Sequence, residues 1–287
     1  MGTLSALYRY PVKSMLGEEL ESAAVTARGL AGDRRFAVLD TAGAVGSAKH
    51  PRKWGALLRC RSRTAGGSGG AESGEVLVVL PDGTELSCRD RQLDARLSKL
   101  LGREVALSDL PPEQGRLERA VPEYAGGIPE AARRQAEVDA TGTAVTVGSV
   151  AAGTFLDFGR LHLVTTSSLE RLRAARPAGD ADPRRFRPNL VVDTGGAPGY
   201  PEDAWTGSLI RVGEALLRVV VPTPRCVVPT LGHGELPPDP ALMRVVAREH
   251  RVPVFDMGPL SCVGVYLDVV EPGTVRVGDR VAPTGTA

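Results

Sequence analysis

Short apolar runs rich in valine and leucine, each closed by glycine, proline or aspartate, recur along most of this chain. Residues 75–80 form one such run, 81–83 (Pro-Asp-Gly) provide a turn, and 85–88 return, which is typical of a β-hairpin. Residues 209–221 predict a second hairpin that turns near Gly213. Because such runs are typical of strands, the chain is expected to be β-rich.

Helical patterns are fewer. A stripe of leucines over 93–101 that stops at a glycine predicts one helix. A capping box formed by Ser167 and Glu170 predicts the start of a second. An aspartate followed by proline at 239–240 predicts the start of a third. The fold class is therefore expected to be α+β with a majority of strands.

Two stretches have weak periodicity. Residues 63–74 are rich in glycine and serine and predict an exposed loop. Residues from 111 to about 153 mix proline, glycine, glutamate and arginine, and are expected to join two domains. We predict an N-terminal domain over 1–120 and a C-terminal domain over 121–287.

The overall charge excludes several classes of partner. The 287 residues have a net charge of +1, so no global basic field indicates nucleic acid or an anionic membrane. Any anion site must be assembled by folding from distant cations. No stretch is apolar enough to span a bilayer, and the N-terminus lacks the apolar core of a signal peptide. A cytoplasmic protein is expected.

Common cofactor and metal motifs are missing from the sequence. The four cysteines form no Cys-x-x-Cys pair, and the four histidines have no zinc spacing. There is no phosphate-binding loop and no dinucleotide fingerprint, and pyridoxal phosphate is not expected. Residues 66–70 match a serine-nucleophile pattern in letters only, because no strand precedes the serine. A cysteine with a chemical role is expected to act alone.

Cys226 is the cysteine with the most suggestive surroundings. It follows a predicted strand and two prolines, which stiffen the approach to it. The neighbouring Arg225 would favour thiolate over thiol, and a thiolate suits either a soft metal or nucleophilic chemistry. An arbitrary cysteine is more often a small buried apolar residue, and we read Cys60, Cys88 and Cys262 in that way.

Five segments in series resemble the MOSC-domain family with its N-terminal MOSC β-barrel domain. They are 10–14 (Tyr-Pro-Val-Lys-Ser), 32–36 (Gly-Asp-Arg-Arg-Phe), 186–192 (Phe-Arg-Pro-Asn-Leu-Val-Val), 225–226 (Arg-Cys) and 269–279, which resembles the closing strands. The two-domain form is similar to the bacterial N-hydroxylated-base reductases and the mitochondrial amidoxime-reducing component. The resemblance implies two β-barrel-like domains with flanking helices, and the molybdenum cofactor (molybdopterin).

The resemblance also implies roles for individual residues. Cys226 would ligate molybdenum, and Asp157 would be a carboxylate near the metal that binds a water or relays a proton. The remaining matches are contacts to the cofactor's phosphate and pterin, namely Lys13, Ser14, Arg34, Arg187, Asn189 and Arg225. Arginine supplies bidentate hydrogen bonds to phosphate, and these cations are far apart in sequence, as a cleft between two domains would require.

The leading hypothesis is a molybdenum-dependent oxidoreductase that reduces N-hydroxylated small molecules. The chain has no flavin fingerprint and no cysteine cluster for iron–sulfur ligation, so electrons are expected from a separate ferredoxin, flavodoxin or reductase. Two alternatives also use Cys226: a sulfur carrier with a persulfide on this residue, and a non-catalytic carrier of finished cofactor.

The chain departs from the family pattern beside the expected metal. Phe158 and Gly159 stand where the reductases have small hydroxyl residues, and Thr223 and Pro224 replace a common cysteine and serine. These residues flank the expected cofactor, so the choice of substrate is expected to differ from that of the known reductases.

Overall fold

The structure is a computed structural model that describes residues 2–66, 74–113, 115–121, 136–177 and 179–286. Twenty β-strands and five α-helices occur in these described ranges. The expected β-rich α+β class is confirmed.

The strands are short, and most lie next to their sequence neighbours. Twelve precede residue 150: β1 (Gly2–Arg9), β2 (Glu18–Leu20), β3 (Ser22–Thr26), β4 (Gly29–Leu30), β5 (Ala37–Asp40), β6 (Arg61–Thr64), β7 (Val76–Val79), β8 (Glu85–Ser87), β9 (Val105–Ser108), β10 (Arg116–Ala120), β11 (Ala136–Val138) and β12 (Ala144–Ser149). Eight follow: β13 (Leu161–Thr165), β14 (Leu190–Asp193), β15 (Ser208–Val212), β16 (Ala215–Pro224), β17 (Arg251–Pro253), β18 (Pro259–Glu271), β19 (Gly273–Arg276) and β20 (Arg280–Thr286). The helices are α1 (Pro51–Trp54), α2 (Leu93–Leu101), α3 (Thr166–Ala175), α4 (Pro183–Phe186) and α5 (Leu242–Glu249).

Seven strands close into a barrel, in the order β13-β14-β1-β20-β15-β16-β18, with β18 pairing back onto β13. The first strand of the chain is thus part of a barrel that the C-terminal half otherwise builds. It pairs antiparallel with β14, where Leu7 faces Leu190, and with β20, where Gly2 faces Val281. The boundary at residue 120 stays a prediction, and the barrel crosses it.

The barrel interior is filled by aliphatic side chains from alternate strand positions. Leu4 and Leu7 of β1 pack there with Leu163, Leu190 and Leu217 of the C-terminal strands. Trp205 is buried in the same cluster.

A second core lies in the N-terminal half, between the β5–β9 pair, the β6-β7-β8 sheet and helix α2. The predicted 75–88 hairpin is confirmed as β7 and β8. Helix α2 has the predicted bounds and ends at Gly102, whose φ of 65° is left-handed.

Two helices cover the outside of the barrel, and both begin differently from the prediction. The side chain of Thr165 accepts a hydrogen bond from the backbone N of Ser168, so the cap of α3 lies two residues before the predicted cap. Helix α5 begins at Leu242 rather than directly after 239–240, because the Asp239 carboxylate accepts a hydrogen bond from the backbone N of Ala241 and caps a preceding turn.

The prediction that 111–153 is irregular was wrong where the structure describes it. Strands β10, β12 and β11 form a three-stranded antiparallel sheet there. The alternation is hard to see because few positions of these strands are buried and the exposed positions include Val138 and Val147. Residues 67–73 of the predicted glycine-rich loop lie outside the described residues. In the described ranges, no helix has both the length and the apolar character needed to cross a membrane.

A buried ion pair anchors the turn that follows β1. Arg9 is fully buried, and its Nε lies 2.8 Å from Glu18 Oε1 on the adjacent strand. The same oxygen accepts a hydrogen bond from the backbone N of Thr64 at 3.0 Å. Because residues 10–17 connect the paired strands, this ion pair fixes where Lys13 and Ser14 lie.

We expect Glu18→Ala to lower the free energy of unfolding by about 3 kcal/mol, because it leaves the Arg9 guanidinium buried without its partner. Urea denaturation at pH 7 measures this change. The control is Glu19→Ala, an exposed neighbour, which should change stability by less than about 0.5 kcal/mol. Equal stability of the two variants would contradict the anchoring role.

Candidate cofactor site

One cleft at an end of the barrel brings together every site residue predicted from the sequence. The empty space of the cleft is about 910 Å³, a volume that includes the solvent at its open mouth. Its lining includes Lys13, Ser14, Arg34, Asp157, Arg187, Asn189, Arg225 and Cys226. They come from the turn after β1, the segment before β13, the end of α4 and the end of β16.

Positive charge dominates the lining. Seven lysine and arginine residues and a single carboxylate, Asp157, line the cleft. On a chain whose net charge is +1, this is a strong local excess. Such a field concentrates anions, and arginine in particular suits phosphate.

Backbone strain is concentrated at the same cleft. Among the described residues, four other than glycine have a left-handed φ, and three of them are Ser14 (65°), Arg34 (45°) and Arg187 (55°). A residue before proline is usually extended, so the left-handed Arg187 departs from the ordinary preference. Each such conformation costs about 1 kcal/mol or more and persists only where surrounding contacts impose it. At these three positions it directs a polar side chain into the cleft wall.

Tyr10 is the platform for two of these arginines. The guanidinium carbons of Arg34 and Arg187 lie 4.5 and 4.3 Å from the centre of its ring. Arg34 is paired with Asp33, and its Nη2 donates to the carbonyl of Arg187 at 3.3 Å. Both Nη atoms of Arg187 are buried and have no hydrogen-bond partner in the described structure.

The unpartnered guanidinium of Arg187 is energetically unfavourable as it stands. Burial, and then the nearby Arg34 charge, lower the pKa of Arg187 to about 10. A buried charged donor without an acceptor has a large desolvation penalty. An anion placed against Nη1 and Nη2 would remove that penalty, so this side chain fits a phosphate oxygen.

Asp157 lies between two ammonium groups. Lys13 Nζ is 2.7 Å from its Oδ1, and Lys49 Nζ is 2.9 Å from its Oδ2. Lys13 also donates to the carbonyl of Phe155 at 2.7 Å. Burial alone would raise the pKa of Asp157, but the two lysines outweigh burial and hold that pKa well below its usual range. Burial lowers the pKa of Lys13 to about 8, despite its contact with Asp157.

Arg225 and Asn189 hold the cleft walls together. Arg225 donates from Nε to the carbonyl of Val263 and from Nη1 to that of Phe186, both at 3.0 Å, and its Nη2 contacts the His162 ring. Asn189 Oδ1 accepts from the backbone N of His162 at 3.2 Å, and its Nδ2 donates to the carbonyl of Tyr8. These side chains already bond protein groups, so their predicted cofactor contacts stay predictions.

His162 is the second residue of β13. All five residues of β13 are buried, so the strand does not alternate, and His162 lines the cleft. Burial, and then the Arg225 charge, lower the pKa of its imidazole well below the usual value. The neutral ring can therefore accept a hydrogen bond from Arg225, which is a structural role inside the site.

Cys226 is the one cysteine of the four that lines the cleft. It is half-buried and packs against Ala48, Leu58 and Val228 just beyond the end of β16. Cys60 and Cys262 are buried in cores, and burial raises the pKa of each thiol to about 12, which agrees with the apolar role expected for them. The thiol of Cys226 is thus the accessible sulfur beside the cation cluster.

The sequence reasoning missed several residues of the cleft, chiefly Lys49, Arg160, Arg185 and Tyr266. Lys49 is the most consequential, because it binds Asp157 and its charge interacts with Cys226. No local pattern distinguishes it from a surface lysine. Arg185 could have been suspected from the cluster of three arginines at 184–187.

Two family models match this chain. The MOSC domain matches residues 153–282, and the MOSC N-terminal beta barrel domain matches residues 1–107. The chain belongs to the MOSC-domain family. The resemblance inferred from the sequence motifs is thereby confirmed, and the cleft lies between parts of the chain that both models match.

A mouse protein is similar to nearly the whole chain. Mitochondrial amidoxime-reducing component 1 of Mus musculus is 28% identical over 295 residues, which cover 98% of this chain and 82% of that protein. Among solved structures, the YuaD protein from Bacillus subtilis is 14% identical, covers 98% of this chain and 93% of its own, and has a TM-score of 0.43. YiiM from Geobacillus stearothermophilus is 15% identical over 44% of this chain and 54% of its own, with a TM-score of 0.33. These TM-scores are too low to support an argument.

We expect Asp157→Asn to lower the free energy of unfolding by about 2 kcal/mol at pH 7, because two buried ammonium groups lose their shared partner. The side chain of Asp157 is 29% exposed, so the loss should be smaller than for a fully buried pair. Urea denaturation of wild type and variant measures it, with the exposed Asp268→Asn as control.

The sign of the pH dependence follows from the depressed pKa of Asp157 in the folded protein. Its stabilisation is complete above the unfolded value of about 4 and is lost as pH falls toward the folded value. The stability difference between wild type and Asp157→Asn should therefore shrink by about 1 kcal/mol between pH 5 and pH 3. A difference that stays constant over this interval would show that the carboxylate is not ionised as described.

Proposed function

We propose that this protein binds the molybdenum cofactor in the cleft and is an oxidoreductase that reduces N-hydroxylated compounds, with electrons from a separate redox partner. The observation that supports it most is that an accessible cysteine lies in the same cleft as a buried cation cluster, in which both Nη atoms of Arg187 have no acceptor among the described residues. A thiolate suits a soft metal, and an unpartnered guanidinium suits a phosphate. The family and the amidoxime-reducing relative support the same reading.

We propose that different residues of the cleft hold the metal and the phosphate of the cofactor, according to their charge. Cys226 would hold the metal through its Sγ, while Arg187, Arg34 and Lys13 would surround the phosphate. Ser14 Oγ accepts a hydrogen bond from the backbone N of Ala48 at 3.0 Å, so its hydroxyl hydrogen remains available to a ligand. The bound cofactor would supply the two-electron chemistry.

Cleavage of an N–O bond to N–H and water consumes two electrons and two protons, so the cleft needs a proton path. Asp157 is ionised at neutral pH, because Lys13 and Lys49 outweigh its burial and depress its pKa. It therefore serves as a relay rather than as the proton source. Lys13 Nζ, with a pKa lowered by burial to about 8, holds the proton that is released most readily in this cluster.

The first test is metal and pterin content after expression in a host that makes the cofactor. We expect wild type to contain molybdenum and pterin in near-equal amounts, and Cys226→Ser to lose most of the molybdenum, since serine is a poor ligand for a soft metal. Cys88→Ser, in the N-terminal core, is the matched control and should retain both.

The same preparations distinguish the alternatives. Wild-type protein that holds neither metal nor pterin would contradict the proposal. Mass spectrometry for a persulfide on Cys226 would then test sulfur transfer. Protein that holds the cofactor should reduce an N-hydroxyamidine when supplied with a competent donor. Rapid transfer of cofactor to an apo-enzyme without turnover would instead indicate a carrier.

The Arg187 guanidinium has two buried Nη donors without an acceptor among the described residues. We expect Arg187→Met to raise the free energy of unfolding of the cofactor-free protein by about 1 kcal/mol, because a buried charge without an acceptor is removed. The same variant should lose cofactor when expressed in a competent host. Stability is measured by urea denaturation and loading by pterin fluorescence.

The control for Arg187→Met is Arg184→Ala, which removes an arginine three residues away. Arg184 is paired with Asp182 and Glu235, so its loss should not stabilise the protein and should leave the pterin content unchanged. If Arg187→Met destabilised the cofactor-free protein and kept its cofactor, Arg187 would be a structural residue only.

A further inference from the structure

Three exposed apolar side chains come from two neighbouring segments: Phe158 lines the cleft, its ring contacts that of Phe255, and Met257 follows Phe255 by two residues. Phe158 is 46% exposed, and Phe255 and Met257 are each 58% exposed. Phe255 and Met257 belong to one turn between β17 and β18, and the rings of Phe255 and Phe158 are 5.8 Å apart in an edge-to-face arrangement. We call these three residues the aromatic lip. Soluble proteins usually expose large apolar residues singly, so a cluster indicates a binding surface.

The aromatic lip continues into the cleft. Phe158 lies 5.5 Å from the ring of Tyr266, and Tyr266 lies 6.0 Å from that of His162. Phe158, Tyr266 and His162 all line the cleft, and His162 contacts Arg225 beside Cys226. A series of neighbouring aromatic rings therefore extends from the surface to the neighbourhood of the expected metal ligand.

Backbone geometry at two positions keeps this series of rings in place. Phe255 has a left-handed φ of 49°, an unfavourable conformation for a bulky residue that commonly marks a functional position. A Cβ at Gly159 would lie 2.7 Å from Cβ of Tyr266, so glycine is required for Tyr266 to pack against this backbone. Phe158 thus provides the exposed ring, and Gly159 leaves the space in which Tyr266 packs.

The size of the lip argues against a protein partner as its occupant. A stable protein interface uses about 20–30 residues on each side, whereas the lip has three. A small aromatic or other flat apolar group matches its area, and ring edges and faces attract such a group through stacked or edge-to-face contacts. The cationic interior of the cleft would meanwhile face the polar, reacting end of the same molecule.

We propose that the aromatic lip binds the flat apolar end of the substrate, so that this protein favours aryl over small alkyl N-hydroxy compounds. This inference rests on the proposed function. Phe255 and Met257 would determine specificity through contact with the non-reacting part of the substrate. The Asp157 carboxylate contacts the two lysines, whereas the next residue, Phe158, belongs to the lip. These two consecutive residues therefore mark the boundary between the polar and the apolar part of the site.

The test compares two neutral ligands that differ only in their apolar end, N-hydroxybenzamidine and N-hydroxyacetamidine. Without an electron donor neither is reduced, so calorimetry on the cofactor-loaded protein measures binding alone. We expect Phe255→Asn with Met257→Ala to weaken binding of the aryl compound about five- to ten-fold and to leave the methyl compound unchanged. Asparagine tolerates the left-handed backbone of Phe255, so the turn should survive.

Two further variants serve as controls. Phe255→Tyr keeps the ring and should bind the aryl compound as wild type does. Val270→Ala removes an exposed apolar side chain from β18, outside the lip, and should have no effect. With donor present, the double variant should raise KM for the aryl compound and keep kcat for the methyl compound.

The outcomes separate this inference from the proposed function. Equal weakening of both ligands, no weakening of either, or a change in the KM for the electron donor instead would overturn the role of the lip. Binding that depends on the lip without any reduction of either compound would overturn the proposed activity and support the lip. Reduction of both compounds with unchanged KM ratios in the double variant would support the activity and overturn the lip.

Discussion

The hydrogen bonds between the first strand and β14 and β20 are the constraint on which this structure depends. They close a barrel whose remaining strands come from the C-terminal half, with Leu7 facing Leu190 and Gly2 facing Val281. The turn after β1 is then held by the buried Arg9–Glu18 pair. As a result, residues from the start of the chain meet the end of β16, and Lys13 and Cys226 line one cleft.

Closing the barrel in this way produces a cleft at its end whose polar groups are arranged at a cost in stability. Among the described residues, seven cationic side chains and one carboxylate line this cleft, and both Nη donors of Arg187 are buried without an acceptor. Left-handed backbone at Ser14, Arg34 and Arg187 adds to the free-energy cost. Protein cores do not normally retain such features, and proteins commonly sacrifice stability at sites that bind a ligand. The arrangement is best understood as preorganisation for a large anion.

The cleft also changes character from its base to its mouth. At the base, Asp157 and its two lysines form a hydrogen-bonded charge network. At the mouth, Phe158 and Phe255 are exposed and in contact. Asp157 and Phe158 are consecutive in the irregular segment before β13, and their side chains lie in the two different environments. A ligand with a polar reacting end and an apolar remainder matches this gradient.

The sequence alone was sufficient for the β-rich class, the two hairpins and the family, because strand alternation, turn residues and family motifs are local signals. Motif residues such as Arg187 and Cys226 were found for the same reason. Helix starts were misplaced by two residues, because Thr165 rather than Ser167 caps α3 and because Asp239 caps a turn that precedes α5. The sheet over β10–β12 was missed, because few of its positions are buried and exposed positions such as Val147 are apolar, so alternation is weak.

Only the tertiary structure decided which charges meet. Lys13 and Asp157 are 144 positions apart, and nothing near Lys49 in sequence marks it as their partner. The unpartnered donors of Arg187 and the contact between Phe158 and Phe255 are likewise consequences of barrel closure. Sequence patterns specify which face of an element is buried. The pairing of distant strands determines which side chains share a dielectric environment, and this environment sets the pKa values of those side chains and the ligands that they can bind.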